Sequence, residues 1–241
     1  MQNKTKTATT MDRRLVLLVV MLVLAIGGIT ATLFHHNGLA RAWLIRSRLR
    51  RLARAVLDAL EAEDVPHWVD FGTLLGIVRE DDIILGDNDV DICLLEEGPA
   101  AGDENEEAAA AAMDAKLERV ADRLRVTLPD AYVVVRQWGG ISRVYLPPPD
   151  HGPFQSAATA WCSPRLFCDL YHNRHDGDWY RGAEGPNSDI PAALVGAGTA
   201  RWPWRQSSVR VPQDVEGALV WRYGADWRVP RPGYKGREGQ A

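Results

Sequence analysis

The chain has 241 residues, 46% hydrophobic and 25% charged, with a formal net charge of −4, the make-up of an ordinary folded protein long enough for one sizeable domain and an appendage. The charge is uneven: residues 1–54 carry a balance of +9 and the remainder −13. A main domain that acidic makes a poor partner for nucleic acid, whose binding depends on neutralising phosphates, so that class is set aside.

Residues 1–14 form a basic tail with one glycosylation sequon, Asn3-Lys4-Thr5. "LVLLVVMLVLAIGGITATLF" at 15–34 is free of charge and follows Arg13-Arg14. Twenty helical residues at about 1.5 Å each match the roughly 30 Å hydrocarbon core of a bilayer, so a single membrane span is expected. A buried helix and a cleaved signal peptide are the alternatives; the latter would have a shorter apolar region and a better cleavage site than Thr30–Thr32. Basic residues flank both ends, so the positive-inside count gives no orientation.

Over 35–65, Ile45, Leu49, Leu52, Val56 and Leu60 recur at helical steps, which predicts an amphipathic helix ended by Pro66. The domain at 66–233 opens with a strand at His67–Phe71, then a short helix at Thr73–Arg79 and a strand at Asp89–Leu95. A helix from near Glu104 to Val126 has acids in its first turns and arginines in its last, as the helix dipole favours. Ala131–Trp138 and Ile141–Leu146 read as a hairpin across Gly139-Gly140, and Arg165–Tyr171 as a further strand. Proline- and glycine-rich stretches at 147–164 and 172–214 read as loops, Asp214–Gly224 as a last helix, and 234–241 as a tail. Helices mixed with at least four strands predict an α/β or α+β domain, a mixed sheet flanked by helices.

The chemistry concentrates in "GTLLGIVREDDIILGDNDVDI", Gly72 to Ile92. Asp89 and Asp91, two apart on a strand, leave the same face about 7 Å apart at the backbone. Like charges so placed resist burial. A hard divalent ion with oxygen ligands resolves the conflict, and Mg²⁺ is the usual one where phosphates complete its shell, with Mn²⁺ as the alternative. Two blander readings compete: a solvated acidic turn, and a calcium loop. The loop fails because its sixth and twelfth positions hold Ile92 and Gly98. Upstream, Gly72 and Thr73 lie between a strand and a helix, where backbone N–H groups can meet a phosphate. Asp169, inside "LFCDLY", is the natural third acid on a neighbouring strand, or else a satisfied hydrogen-bond acceptor. Together these describe a nucleotidyltransferase-like site.

The same residues resemble the signature of the LicD/fukutin-related family of phosphotransferases, roughly G-[TS]-L-L-G-x-x-R, a spacer, then D-x-D-x-D between apolar residues. "LFCDLY" and "VWRYGADWRVPRP" (Val220–Pro232) are similar to its two later segments, so the likeness covers about residues 50–233. It implies a Mg²⁺ centre at Asp87, Asp89 and Asp91, completed by Asp169 unless that residue is the base. It also implies phosphate binding by Gly72 and Thr73, and Arg79 steadying the acidic strand or the donor's pyrophosphate. A plain structural pairing of Arg79 with Asp87 or Asp70 stays open. The implied reaction moves a substituted phosphate, of phosphocholine or alditol phosphate type, from a CDP-linked donor to a glycan hydroxyl at a membrane. The compartment would be the Golgi or ER lumen in a eukaryote and the cell membrane otherwise. Leu85-Gly86, Asn88 and Glu80 depart from the pattern, and no zinc-binding insertion is present. A catalytically silent, membrane-anchored scaffold or glycan-binding protein with the same fold is the alternative.

Three cysteines make neither a disulfide framework nor a zinc pattern. Cys93 reads as a core residue, and Cys162 and Cys168 are expected to remain unpaired. Trp138, Trp161, Trp179, Trp202 and Trp204 could stack on sugar or base but are more often packing residues. His172 and His175 either reach the site or lie on the surface.

Overall fold

The structure, a computed structural model, describes residues 16–24, 38–96, 106–135, 140–146, 166–182 and 185–231. The chain divides into two compact units, Met1–Ala42 and Trp43–Ala241. In the first, residues 16–24 form a helix (α1) whose apolar side chains are exposed. Among the described residues no helix is long and apolar enough to cross a membrane. The rest of the expected span, residues 15 and 25–34, lies outside the described residues, as do the tails 1–14 and 234–241.

The helix Gly38–Ala62 (α2) buries Leu49, Leu52, Val56 and Leu60 completely, the stripe that helical spacing predicts. Then follow β1 (His67–Val69), α3 (Phe71–Glu80), β2 (Asp89–Glu96) and α4 (Glu106–Thr127). The strand expected at 67–71 ends at Val69 because Asp70 caps α3: its side chain accepts from Phe71 N at 2.7 Å. Gly76 in α3 is there because the chain folds back on it; a Cβ would meet Asp82 O at 2.6 Å and Ile84 N at 2.9 Å.

β3 (Tyr132–Val134) and β4 (Ile141–Leu146) form the expected hairpin, with the expected strand's last residues, 136–138, outside the described ones. β5 (Leu166–Asp176) runs five residues beyond the expected strand. The stretch read as loop over 172–214 holds more structure than its prolines and glycines suggested. It contains β6 (Trp179–Gly182), β7 (Ile190–Pro191), a helical turn at Ala192–Val195, and the hairpin β8 (Ala200–Trp204) and β9 (Ser207–Val211). These pieces are short and edge-like, and proline is tolerated at such places. α5 (Val215–Tyr223) closes the described fold, capped by Asp214 and ended at Gly224.

The main sheet has the order β1-β2-β5-β4-β3. β2 and β5 are parallel, and β1, β4 and β3 pair antiparallel. β6 pairs with the far end of β5, and β7 with β6. This is the mixed α/β architecture expected, with β8 and β9 a separate two-stranded sheet. Alternation sorts the strands into two faces. Val90, Ile92, Leu94, Val144, Cys168 and Leu170 are fully buried on one face, in the same apolar cluster as Leu117, Val120 and Leu124 of α4 and the α2 stripe. The other face carries the acids.

Candidate active site

Register brings the acids together. Asp89 lies opposite Phe167 and Asp91 opposite Asp169 across the parallel pair, and Asp169 lies opposite Arg143 of β4. Asp89, Asp91, Asp169 and Arg143 therefore share one face. The start of α3 is laid against it: a Cβ on Gly72 would sit 3.5 Å from Asp87 Oδ2 and 3.6 Å from Asp91 Oδ2. Asp87, in the turn before β2, thus converges with Asp91 on the backbone of Gly72. Spacing alone could not have revealed that approach.

The local electrostatics are those of crowded acids. Burial pushes the Asp91 carboxyl well above the usual carboxylate range, and like charge on Asp89, Asp169, Asp70 and Asp87 adds to the effect. Asp87 is pushed up to about 6, first by burial, then by Asp89 and Glu80, with Arg46 and Arg79 opposing. Asp91 gets limited relief: the Tyr171 hydroxyl donates to its Oδ1 at 3.4 Å, a long bond.

Two further acids are neutralised by arginine. Arg143 donates from Nε to Asp169 Oδ1 and from Nη2 to Oδ2 at 2.7 Å, while its guanidinium lies 4.2 Å from the centre of the Phe167 ring. Asp169 is 5% exposed and held on both oxygens. Asp70, fully buried, is held by Arg222 through Nε at 3.2 Å and Nη2 at 2.8 Å. Neither arginine is conspicuous in the sequence. Arg222 lies within the "VWRYGADWRVPRP" segment, and that resemblance was the signal available. The same segment brings in Tyr223, whose phenol is pushed well up by burial and then by Asp91 and Asp70.

The remaining expected residues have more modest places. Thr73 is buried and its Oγ1 accepts from Asp91 N at 2.8 Å, so its hydroxyl fixes the acid strand. Arg79 pairs with Glu80 at 2.8 Å and reaches Asp87 only through the field. His172 faces the other side of the sheet, buried between Glu96 Oε1 and Ser142 Oγ, each at 2.8 Å. His175 is exposed near the end of β5. Trp179 packs on Trp221 and Trp204 is buried, whereas Trp138, Trp161 and Cys162 lie outside the described residues. Cys93 and Cys168 are both buried.

Among the described residues, no three His, Cys, Asp or Glu side chains come close enough together to hold a metal ion unaided. Two of the carboxylates, Asp87 and Asp91, approach one point, the backbone of Gly72.

The comparisons fall in the same region. Residues 64–127 match the family model described as LicD/FKTN/FKRP, nucleotidyltransferase domain. The solution structure of the antibiotic-resistance factor ANT(2'')-Ia is 15% identical, covering 73% of this chain and 69% of that one, with a TM-score of 0.40. Terminal uridylyl transferase 4 from Trypanosoma brucei with bound GTP is 18% identical over 52% of this chain and 34% of that one, TM-score 0.30. The structure of E. coli MS115-1 CdnC with ATP is 14% identical over 75% and 48%, TM-score 0.29. All three likenesses are loose, and no curated protein matches the chain. The matched stretch runs from just before β1 through the acid strand to the end of α4, so over that part the chain is similar to the nucleotidyltransferase domain of the LicD/FKTN/FKRP family.

Proposed function

We propose that this chain is a membrane-anchored phosphotransferase that moves a phosphocholine- or alditol-phosphate-type group from a CDP-linked donor to a glycan hydroxyl, with Mg²⁺ or Mn²⁺ as cofactor. The observation that carries the reading is the convergence of Asp87 and Asp91 on the Gly72 backbone, with both carboxyls raised by burial and by the charge of Asp89. Asp87 and Asp91 would hold the cation, with Asp89 beside them adding negative charge, and the bound ion would offset charge on the donor's phosphates. The first-turn N–H groups of α3, at Gly72 and Thr73, face the phosphate end of the donor from the positive end of the helix. Arg79 adds positive charge beyond Asp87.

Asp169 takes a different role from the other acids. A guanidinium on both its oxygens repels a second cation, so we leave it out of the metal's ligands. Its oxygens keep lone pairs beyond those that Arg143 occupies, and these would accept the acceptor hydroxyl's proton. The apolar segment 15–34 would hold the domain beside its glycan, in the Golgi or ER lumen of a eukaryote or at a bacterial cell membrane.

The test is CMP release by the full chain in neutral detergent, with a panel of CDP-linked donors, Mg²⁺ and glycan acceptors. The parent should release CMP, and Asp89→Ala and Asp91→Ala should not. The arginine lock on Asp169 also favours a second reading, an inactive scaffold that keeps the fold. Absence of CMP from every donor selects that reading and overturns the first.

Gly72→Ala separates site from fold. Its methyl would make ordinary contacts at 3.5 and 3.6 Å with the two carboxylates, and alanine suits a helix better than glycine by roughly 0.5–1 kcal/mol. The variant should melt at or above the parent's temperature and lose the extra stability that Mg²⁺ gives the parent. A variant that responds to Mg²⁺ like the parent places the ion elsewhere.

A further inference from the structure

Away from the acid face, two grooves adjoin along the outer side of α2 and share Arg51, Arg54 and Asp58. The first, of about 510 Å³, lies between α2 and the β8–β9 hairpin and adds Arg50, Arg205 and Trp204. The second, of about 560 Å³, lies between α2 and α4 and is mostly apolar, with Ala55, Ala59, Ala62 and Val126 in its wall. Val126 is 82% exposed.

The first groove has an excess of positive charge. Arg50 and Arg205 both reach Asp82, which also receives Arg46, so three guanidiniums share one buried carboxylate. Arg54 lies over the Trp204 ring at 5.0 Å, and neither it nor Arg51 has a carboxylate partner among the described residues. Asp58 offsets one charge of the four that line the groove. Trp204 is 2% exposed, and its indole N–H has no hydrogen-bond acceptor among the described residues. A buried donor left this way can take an acceptor from a bound group. Guanidinium forks match phosphate oxygens in geometry as well as charge.

A cationic groove running into an apolar one fits a molecule with a phosphate at one end and hydrocarbon at the other. We propose that these grooves together bind one anionic lipid, its phosphate among Arg51, Arg54 and Arg205 and its chain along Ala55, Ala62 and Val126. Free phosphate would fill only the first groove, and a zwitterionic lipid would bring its own cation against the arginines. The site is separate from the acid face and does not depend on the transferase reading.

The experiment titrates the full chain, in neutral detergent, with dihexanoyl phosphatidic acid, dihexanoyl phosphatidylcholine and inorganic phosphate, following heat by calorimetry. Phosphatidic acid should bind at least about tenfold more tightly than either control. Losing two arginines near an anionic head group, at about 1 kcal/mol each, should weaken it by at least about tenfold in Arg51→Gln/Arg54→Gln. Val126→Asp, at an exposed position, should weaken the lipid and leave phosphate unchanged. Lipid taken up by the apolar 15–34 segment would be the same in every variant and cancels. Equal binding of phosphate and phosphatidic acid reduces the site to an anion pocket and overturns the proposal. So does a double-arginine variant that binds like the parent, or phosphatidylcholine binding as well as phosphatidic acid. CMP release is read separately and is expected to persist in all these variants.

Discussion

Asp91→Asn should be more stable than the parent and close to inactive. The Asp91 carboxylate is costly where it stands: largely buried, facing like charge from Asp89, Asp169, Asp70 and Asp87, and among the described residues relieved by one long bond from Tyr171. An amide of the same shape removes the charge. Relief of a poorly compensated buried polar group is worth about 1–3 kcal/mol. At about 2–4 °C per kcal/mol for a chain of this size, melting should rise by roughly 2–12 °C. Activity should fall by at least about a hundredfold, since even groups that merely support a metal centre command 10–100-fold. A variant that is both less stable and fully active would remove the charge conflict on which the site rests.

The pH dependence carries the same information with its own sign. Asp91 and Asp87 have folded-state values above those of the unfolded chain, Asp87 at about 6. As pH rises through about 4, the unfolded chain gives up these protons first, so the two groups lower stability progressively until each has also ionised in the folded state. Glu61 is shifted downward, by its hydrogen bond to Arg210 first, and contributes in the opposite direction. The raw pH curve therefore mixes signs, and the difference between parent and Asp91→Asn isolates the site. That difference should be small near pH 4 and grow towards pH 7. Mg²⁺ should narrow it, more strongly at the higher pH, because an ion that prefers the carboxylate form stabilises the parent alone.

The sequence carried the acids and their order but not their compensation. Period-two spacing put Asp89 and Asp91 on one face, and the apolar flanks of Asp169 marked it as a strand residue; the register that sets Asp169 beside Asp91 agrees with both. What spacing could not supply was the cross-strand partner. Arg143 looks like an ordinary alternating polar residue in "ISRVYL", and only the β4–β5 pairing reveals that it occupies both oxygens of Asp169. His172 was open to the opposite error: three residues from Asp169, it must face the other side of the sheet, where Glu96 and Ser142 hold it. Composition misled most over 172–214. Its prolines and glycines punctuate short strands there, and Pro191 and Pro203 sit within β7 and β8.

Arg222→Ala should destabilise the fold more than any substitution among the acids it supports. The side chain is 4% exposed and donates to five acceptors: the two Asp70 oxygens and the carbonyls of Asn187, Ser188 and Asp189. Its guanidinium also lies 4.1 Å from the centre of the Phe71 ring. Removing it leaves Asp70 as a fully buried carboxylate with its charge partner gone, a loss that costs about 3–5 kcal/mol, or on the order of 10 °C in melting temperature. It also frees Phe71, held at φ 47, a left-handed conformation that costs a bulky residue about 1–3 kcal/mol and persists only where neighbours enforce it. Because Asp70 caps α3 and Phe71 precedes Gly72, loosening this corner should shift the turn that the acids converge on. Arg222→Lys keeps the charge but lacks the fork for five acceptors, and should fall between parent and alanine. Asp70→Asn should lose less than Arg222→Ala, and the double variant less than the sum of the two, with a coupling above about 1 kcal/mol from urea midpoints. Additive losses would mean that Arg222 acts by filling space, and that the glycine corner is held by the carbonyls and the Phe71 ring without the ion pair.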